Sequence, residues 1–81
     1  HMKIKVLGSG CANCQTLEKR TNQAVNLLGM DAEVEKVTDY TAIAAYGIMS
    51  TPALVIDDQV VLTGRVPKVA ELQTLLTGVL P

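Results

Sequence analysis

Between residues 3 and 28 the sequence changes its hydrophobic period once, and the change falls on Gly8-Ser9-Gly10-Cys11-Ala12-Asn13-Cys14. Lys3 to Leu7 alternates, with Ile4 and Val6 on one face and Lys3, Lys5 and Leu7 on the other, as in a strand better covered on its Ile4/Val6 side. From Cys14 onward Leu17, Ala24, Val25 and Leu28 recur at helical spacing. Gln15, Glu18, Lys19, Asn22, Gln23 and Asn26 take the solvent side. The Cys-x-x-Cys therefore sits where a strand feeds a helix. Two thiols three residues apart in a first helical turn share a face and can close a small disulfide ring. The first of them, Cys11, lies over unpaired backbone N–H groups whose partial positive charge favours thiolate over thiol. The flanking glycines let the backbone turn sharply and keep bulky side chains away from Cys11.

The rest of the chain continues in clear units. Gly29 closes the first helix, and Met30 can fold back on its last turn. Residues 31–37 alternate again, Glu33 and Glu35 against Ala32 and Val34, as expected of a sheet-edge strand wet on one face. Thr38 or Asp39 can cap a short helix running through Tyr46, with Ile43 and Ala44 apolar and Gly47 ending it. A loop over 48–52 leads to Ala53-Leu54-Val55-Ile56, an unbroken apolar run that reads as a strand buried on both faces. Asp57-Asp58 forms a tight turn into Gln59 to Thr63, giving an antiparallel hairpin. Gly64 and Pro67 precede a last helix, with Pro67 in its first turn and Val69, Leu72, Leu75, Leu76 and Val79 at helical spacing. The order is β-α-β-α-β-β-α. Its opening demands parallel strands and its hairpin adds an antiparallel one, so the expected architecture is α/β, a mixed four-stranded sheet flanked by helices on both faces.

Composition removes whole classes of function. With 81 residues there is room for one core, and residues 3–81 read as a single domain behind His1-Met2, which looks like a cloning remnant. Seven basic and eight acidic residues give a net charge of -1 with no basic stripe, and the only aromatics are Tyr40 and Tyr46; nucleic acid is not an expected partner. Apolar runs are short, and neither a signal nor a lipidation motif is present. The reading is a soluble cytoplasmic protein that does not engage a membrane. In a reducing cytosol a closely spaced cysteine pair is catalytic or metal-binding more often than structural. With His1 discounted, two thiols and no histidine cannot make a closed single-chain zinc site. A metal-carrying, copper-chaperone-like module remains the alternative. Such domains run β-α-β-β-α-β and usually carry Met two residues before the first cysteine, where this chain has Ser9.

Thr51-Pro52 lies directly before the buried run Ala53 to Ile56. Proline cannot sit inside a central strand but is allowed at its first residue, and a cis bond there makes a turn. Together with Cys-x-x-Cys after the first strand, this resembles the thioredoxin-like family over nearly the whole chain, in particular its short, glutaredoxin-sized redox-active disulfide members. The resemblance implies a thiol-disulfide oxidoreductase that needs no metal or organic cofactor. Cys11 would be the nucleophile, Cys14 the resolving thiol, and Thr51-Pro52 the edge that pairs with an extended substrate. Gly64 would sit where close substrate approach disfavours a side chain. Implied partners are disulfide-containing protein substrates and a disulfide reductase as electron donor, with the protein acting as a monomer.

The chain departs from the family's patterns at several positions. Ala12-Asn13 fills the Cys-x-x-Cys, Gly10 stands where ordinary thioredoxins carry Trp, and Lys5 stands six residues before Cys11, where they carry a buried acid. Ser50-Thr51-Pro52 and Gly64-Arg65-Val66-Pro67 replace the glutathione-binding elements of glutaredoxins. Lys5 and Arg65 are either solvated charges or a source of positive potential near the thiols. Tyr40 and Tyr46 are expected to pack against the short helix, and Ile48 and Met49 can contribute an apolar contact surface for protein partners. With no histidine beside the pair, the expected reduction potential is on the order of -200 to -300 mV.

Overall fold

A computed structural model of the protein describes residues 2–8, 12–48 and 50–78. Its elements are β1 (Met2–Leu7), α1 (Ala12–Leu28), β2 (Ala32–Val37), α2 (Tyr40–Ala44), β3 (Ala53–Ile56), β4 (Gln59–Thr63) and α3 (Val69–Gly78). This is the order expected from the hydrophobic periods. The sheet runs β2-β1-β3-β4. β1 pairs parallel with β2 and antiparallel with β3, and β3 pairs antiparallel with β4. The charged alternation of Glu33 and Glu35 thus lies on an edge strand, where half of the side chains can stay in water.

The alternation of β1 and β3 divides the core into two layers. Ile4, Val6, Leu54 and Ile56 face α1 and α3, packing with Leu17, Ala24, Val25, Leu72 and Leu76. Leu7, Ala53 and Val55 face the other way, against Ile43 of α2. All four residues of β3 are buried, as the unbroken apolar run requires of a central strand covered on both faces. Each such Leu, Ile or Val contributes about 1.5–3 kcal/mol on burial, so these few side chains are the main reason a short chain holds together.

The helix ends follow local chemistry. Gly29, at φ +63°, and Met30 close α1 with a Schellman pair: Gly29 N–H donates to Asn26 C=O and Met30 N–H to Val25 C=O, both at 3.2 Å. Met30 then packs on the larger core layer. Asp39 caps α2 by accepting from Ala42 N–H at 3.4 Å. α2 stops at Ala44, short of Tyr46, and residues 45–47 turn away from it. Pro67 is buried two residues ahead of α3 instead of inside its first turn, and its carbonyl accepts from Arg20 Nη1 at 3.1 Å. Thr21 has no place in the apolar stripe read from the sequence, yet it is fully buried in α1. Its hydroxyl donates to Leu17 C=O at 2.7 Å, which removes the penalty for burying it. Val79, counted with the α3 stripe, lies outside the described residues.

Candidate active site

The register of the sheet assembles one end of it from all four strands. Val37, Leu7, Ala53 and Thr63 form a row of cross-strand partners. One residue beyond that row stand Gly8, Pro52 and Gly64, so neighbours are about 5 Å apart. Two hydrogen bonds hold this outer row in place: Gly8 N–H donates to Val37 C=O at 2.9 Å, and Gly64 N–H to Pro52 C=O at 2.8 Å. The Thr51-Pro52 bond is cis, and Pro52 is buried. The β3 ladder begins at Ala53, which leaves the backbone of Thr51, an exposed residue, outside the sheet.

Cys14 reaches this row from the first turn of α1. It is only 3% exposed and disulfide-bonded. Its sulfur lies directly against Gly8: a Cβ built on Gly8 would overlap Cys14 Sγ and come within 3.0 Å of Cys14 Cβ. From the sequence Gly8 is a residue that keeps the surroundings of Cys11 open, and the structure adds a further duty, making room for Cys14. Cys11, the chain's only other cysteine, lies outside the described residues, as do Gly10 and Met49. The N-terminus of α1, its positive dipole end, lies at Ala12, two residues before Cys14.

Gly64 sits at φ +74°, a conformation open to glycine and strained for other residues, and a Cβ there would lie 3.3 Å from Ser50 Cβ. Ser50, the residue before Thr51, thus packs on Gly64. No local pattern marks this contact, and only the short distance between Ser50 and Pro52 along the chain hints at it.

The two cations considered as tuning groups are engaged elsewhere. Lys5 points to the α2 side of the sheet, where its Nζ donates to Tyr46 Oη at 3.1 Å and lies 5.8 Å from the ring centroid. Tyr46 Oη in turn donates to Asp58 Oδ1 at 3.4 Å. The hydrogen bond to Tyr46 raises the Lys5 pKa above its ordinary value, with charge interactions from Tyr46, Asp58 and Glu35 adding to it. Arg65 pairs with Glu71 in the first turn of α3. That hydrogen bond raises the Arg65 pKa and lowers that of Glu71. Tyr46 packs half-buried on the α2 core layer, as expected. Tyr40 does not pack: it is 72% exposed on the first turn of α2.

Such an arrangement offers dithiol chemistry beside an accessible strand end. Among the described residues no group of three or more His, Cys, Asp or Glu side chains could hold a metal ion, and no helix is long and apolar enough to cross a membrane.

Comparison with known proteins points the same way. The family model described as "Thioredoxin domain" matches residues 2–77. A thioredoxin of Methanothermobacter thermautotrophicus is 42% identical over 76 residues, covering 94% of this chain and 99% of that protein. A thioredoxin of Methanocaldococcus jannaschii is 38% identical over 77 residues, covering 95% and 88% respectively. Among solved structures, the germline-specific thioredoxin Deadhead of Drosophila melanogaster superposes with a TM-score of 0.68 at 13% identity, covering 98% of this chain and 81% of that one, a likeness of fold.

Proposed function

The chain belongs to the thioredoxin family and is a thiol-disulfide oxidoreductase, and within that activity we propose that Cys11 is the attacking thiol and Cys14 the resolving one. The observation that carries this reading is the placement of Cys14: its sulfur is shielded against Gly8, on the same outer row as Pro52 and Gly64. A shielded thiol suits the second, intramolecular step. The first step needs a sulfur that is reachable and held as thiolate, and Cys11, immediately before the N-terminus of α1, has that position in the chain.

In the forward direction the Cys11 thiolate attacks one sulfur of a substrate disulfide. A Cys11–substrate bond forms, the substrate bond breaks, and one substrate thiolate leaves. Cys14, as thiolate, then attacks Cys11 Sγ, closing the Cys11–Cys14 disulfide and expelling the second substrate thiolate. Two electrons have moved from the protein to the substrate. Proteins of this family act on disulfide substrates and depend on a reductase to restore the dithiol. For this chain we assign protein disulfides as substrates, a disulfide reductase as donor, a monomer formed by residues 3–81, and the cytoplasm as its compartment.

Thr51 and Pro52 form the docking edge in this reading, since the backbone of Thr51 is not used by the sheet, and Gly64 keeps the neighbouring strand end flat. The bonds of Lys5 to Tyr46 and of Arg65 to Glu71 support reading both as structural charges, and we assign a reducing potential on the order of -200 to -300 mV. The metal-carrying alternative is not favoured, because relatives that cover 94% and 95% of this chain are thioredoxins.

A redox titration against glutathione buffers, counting free thiols after acid quenching, tests the reading. Two thiols per chain should appear together within that range. A midpoint near the roughly -120 mV of a strong periplasmic oxidant would overturn it.

A further inference from the structure

Tyr46 joins two parts of the molecule that are otherwise separate. Its body packs half-buried on the core layer of Leu7, Ile43, Ala53 and Val55. Its hydroxyl extends beyond that layer, accepting from Lys5 Nζ on β1 at 3.1 Å and donating to Asp58 Oδ1 in the β3–β4 turn at 3.4 Å. We propose that Tyr46 is a positioning residue for disulfide exchange: by tying the end of α2 to the sheet it fixes the chain that leads to Thr51-Pro52, where the substrate docks. The proposal rests on the docking role assigned to Thr51-Pro52 and adds what holds that edge in place.

Chain position is the first support. Tyr46 N–H donates to Ile43 C=O at 3.1 Å and Gly47 N–H to Ala44 C=O at 2.9 Å, so Tyr46 stands in the last turn that the helix still holds. Gly47, at φ +71°, then turns the chain away toward Thr51. The second support is how little else directs that chain. Among the described residues of 47–51, none makes a hydrogen bond to a strand; Ile48 packs on the core layer and Ser50 on Gly64. Packing contacts are non-directional, whereas hydrogen bonds fix an orientation. Directional restraint therefore comes at the two ends, from the Tyr46 hydroxyl and from Pro52 C=O, which accepts from Gly64 N–H.

The third support is the quality of the tie. Lys5 is a charged donor, and bonds of that kind are roughly twice as strong as neutral ones. The same ammonium lies 5.8 Å from the Tyr46 ring centroid, so one cation holds both the ring and the hydroxyl. Asp57 has no part in it, since its bonds run to Lys3.

Tyr46→Phe keeps the ring and removes both hydroxyl bonds. Reduction is followed on two substrates, an extended peptide carrying a disulfide and 2-hydroxyethyl disulfide, which is too short to lie along Thr51. The peptide KM of Tyr46→Phe should rise on the order of ten-fold with kcat unchanged, while kcat/KM for the small disulfide stays within about two-fold of wild type. Lys5→Met, which removes the donor instead, should have the same effect, and the double variant should add little to either. Asp57→Ala, which loosens the neighbouring turn and leaves the tie in place, should keep the wild-type peptide KM. An unchanged peptide KM in Tyr46→Phe, equal losses on both substrates, or the same rise in Asp57→Ala would overturn the positioning role and leave the docking edge standing. A wild-type protein whose KM for the peptide is no lower than for the small disulfide would remove the docking role itself.

Discussion

At the end of the sheet where β3 turns into β4, polar groups close on one another. At the opposite end, where β1 meets α1, small residues hold space open. Asp57 and Asp58 make the β3–β4 turn with φ values of 48° and 68°, the left-handed pair of a two-residue hairpin. Asp57 then fastens the turn to β1 from both sides: its N–H donates to Lys3 C=O at 2.8 Å, and its carboxylate accepts from Lys3 N–H at 2.9 Å. Lys5, Tyr46 and Asp58 extend the network. At the other end Gly8 admits the Cys14 sulfur, Gly64 admits Ser50, and Thr51 keeps its backbone out of the ladder. The charged cluster is therefore structural. Among the described residues, the end proposed as reactive is marked by missing side chains rather than by charge.

Substitutions at the two ends should separate in kind. The largest effect is expected from Gly8→Ala. Where a glycine has room, Ala stabilises by about 0.4–1 kcal/mol. Here the new methyl meets a sulfur fixed by its own bond, and overpacking should instead cost about 1–3 kcal/mol, read from the urea midpoint, together with activity. A neutral or stabilising result would show that the sulfur has room to move.

Asp57→Ala should cost about 1–2 kcal/mol, through a lost hydrogen bond and an Ala held in left-handed backbone, while disulfide reduction stays at the wild-type rate. Reduced activity in a fully folded Asp57→Ala protein would mean that the two ends communicate.

Lys5→Ala sharpens the comparison further. Since Lys5 donates to Tyr46 and not toward the thiols, the pH dependence of Cys11 alkylation should coincide with that of wild type, and a shifted curve would return Lys5 to the reactive end.

The smallest effect on stability belongs to Glu71→Gln. Its pKa is lowered in the fold by Arg65, so the pair stabilises above the ordinary Glu value near 4.5 and is lost as pH falls through the folded value. A slight loss of thermal stability at pH 7 that vanishes in acid is expected, small because both side chains are about half exposed.

Much of the fold was legible because the sequence changes period cleanly. Alternation at Lys3 to Leu7, the acidic alternation of β2 and the unbroken Ala53 to Ile56 run fix strand identity and burial through sterics and solvation alone. Thr21 was not legible, because a threonine that satisfies its hydroxyl on the preceding turn looks polar in sequence and behaves as core. The partner of Lys5 lies 41 residues away on another element, and no local pattern announces it. Tyr40 was misread for the opposite reason, since an aromatic in a poorly aromatic chain suggests packing while α2 turns it outward. Of the site residues, Thr51-Pro52 and Gly64 stood out by their positions at strand ends. The contact of Gly8 with Cys14 depends on how α1 lies over β1, which hydrophobic spacing does not encode.

Trapping of the mixed disulfide tests the central claim most directly. Cys14→Ser and Cys11→Ser proteins, each reduced and then incubated with a disulfide substrate, are quenched in acid and weighed by mass spectrometry. The Cys14→Ser protein should accumulate a one-to-one covalent adduct, because the first attack proceeds and the second cannot. The Cys11→Ser protein should accumulate none, its remaining thiol being the shielded one. Equal adducts from both proteins would contradict the assignment of roles, and no adduct from either would contradict exchange through this pair.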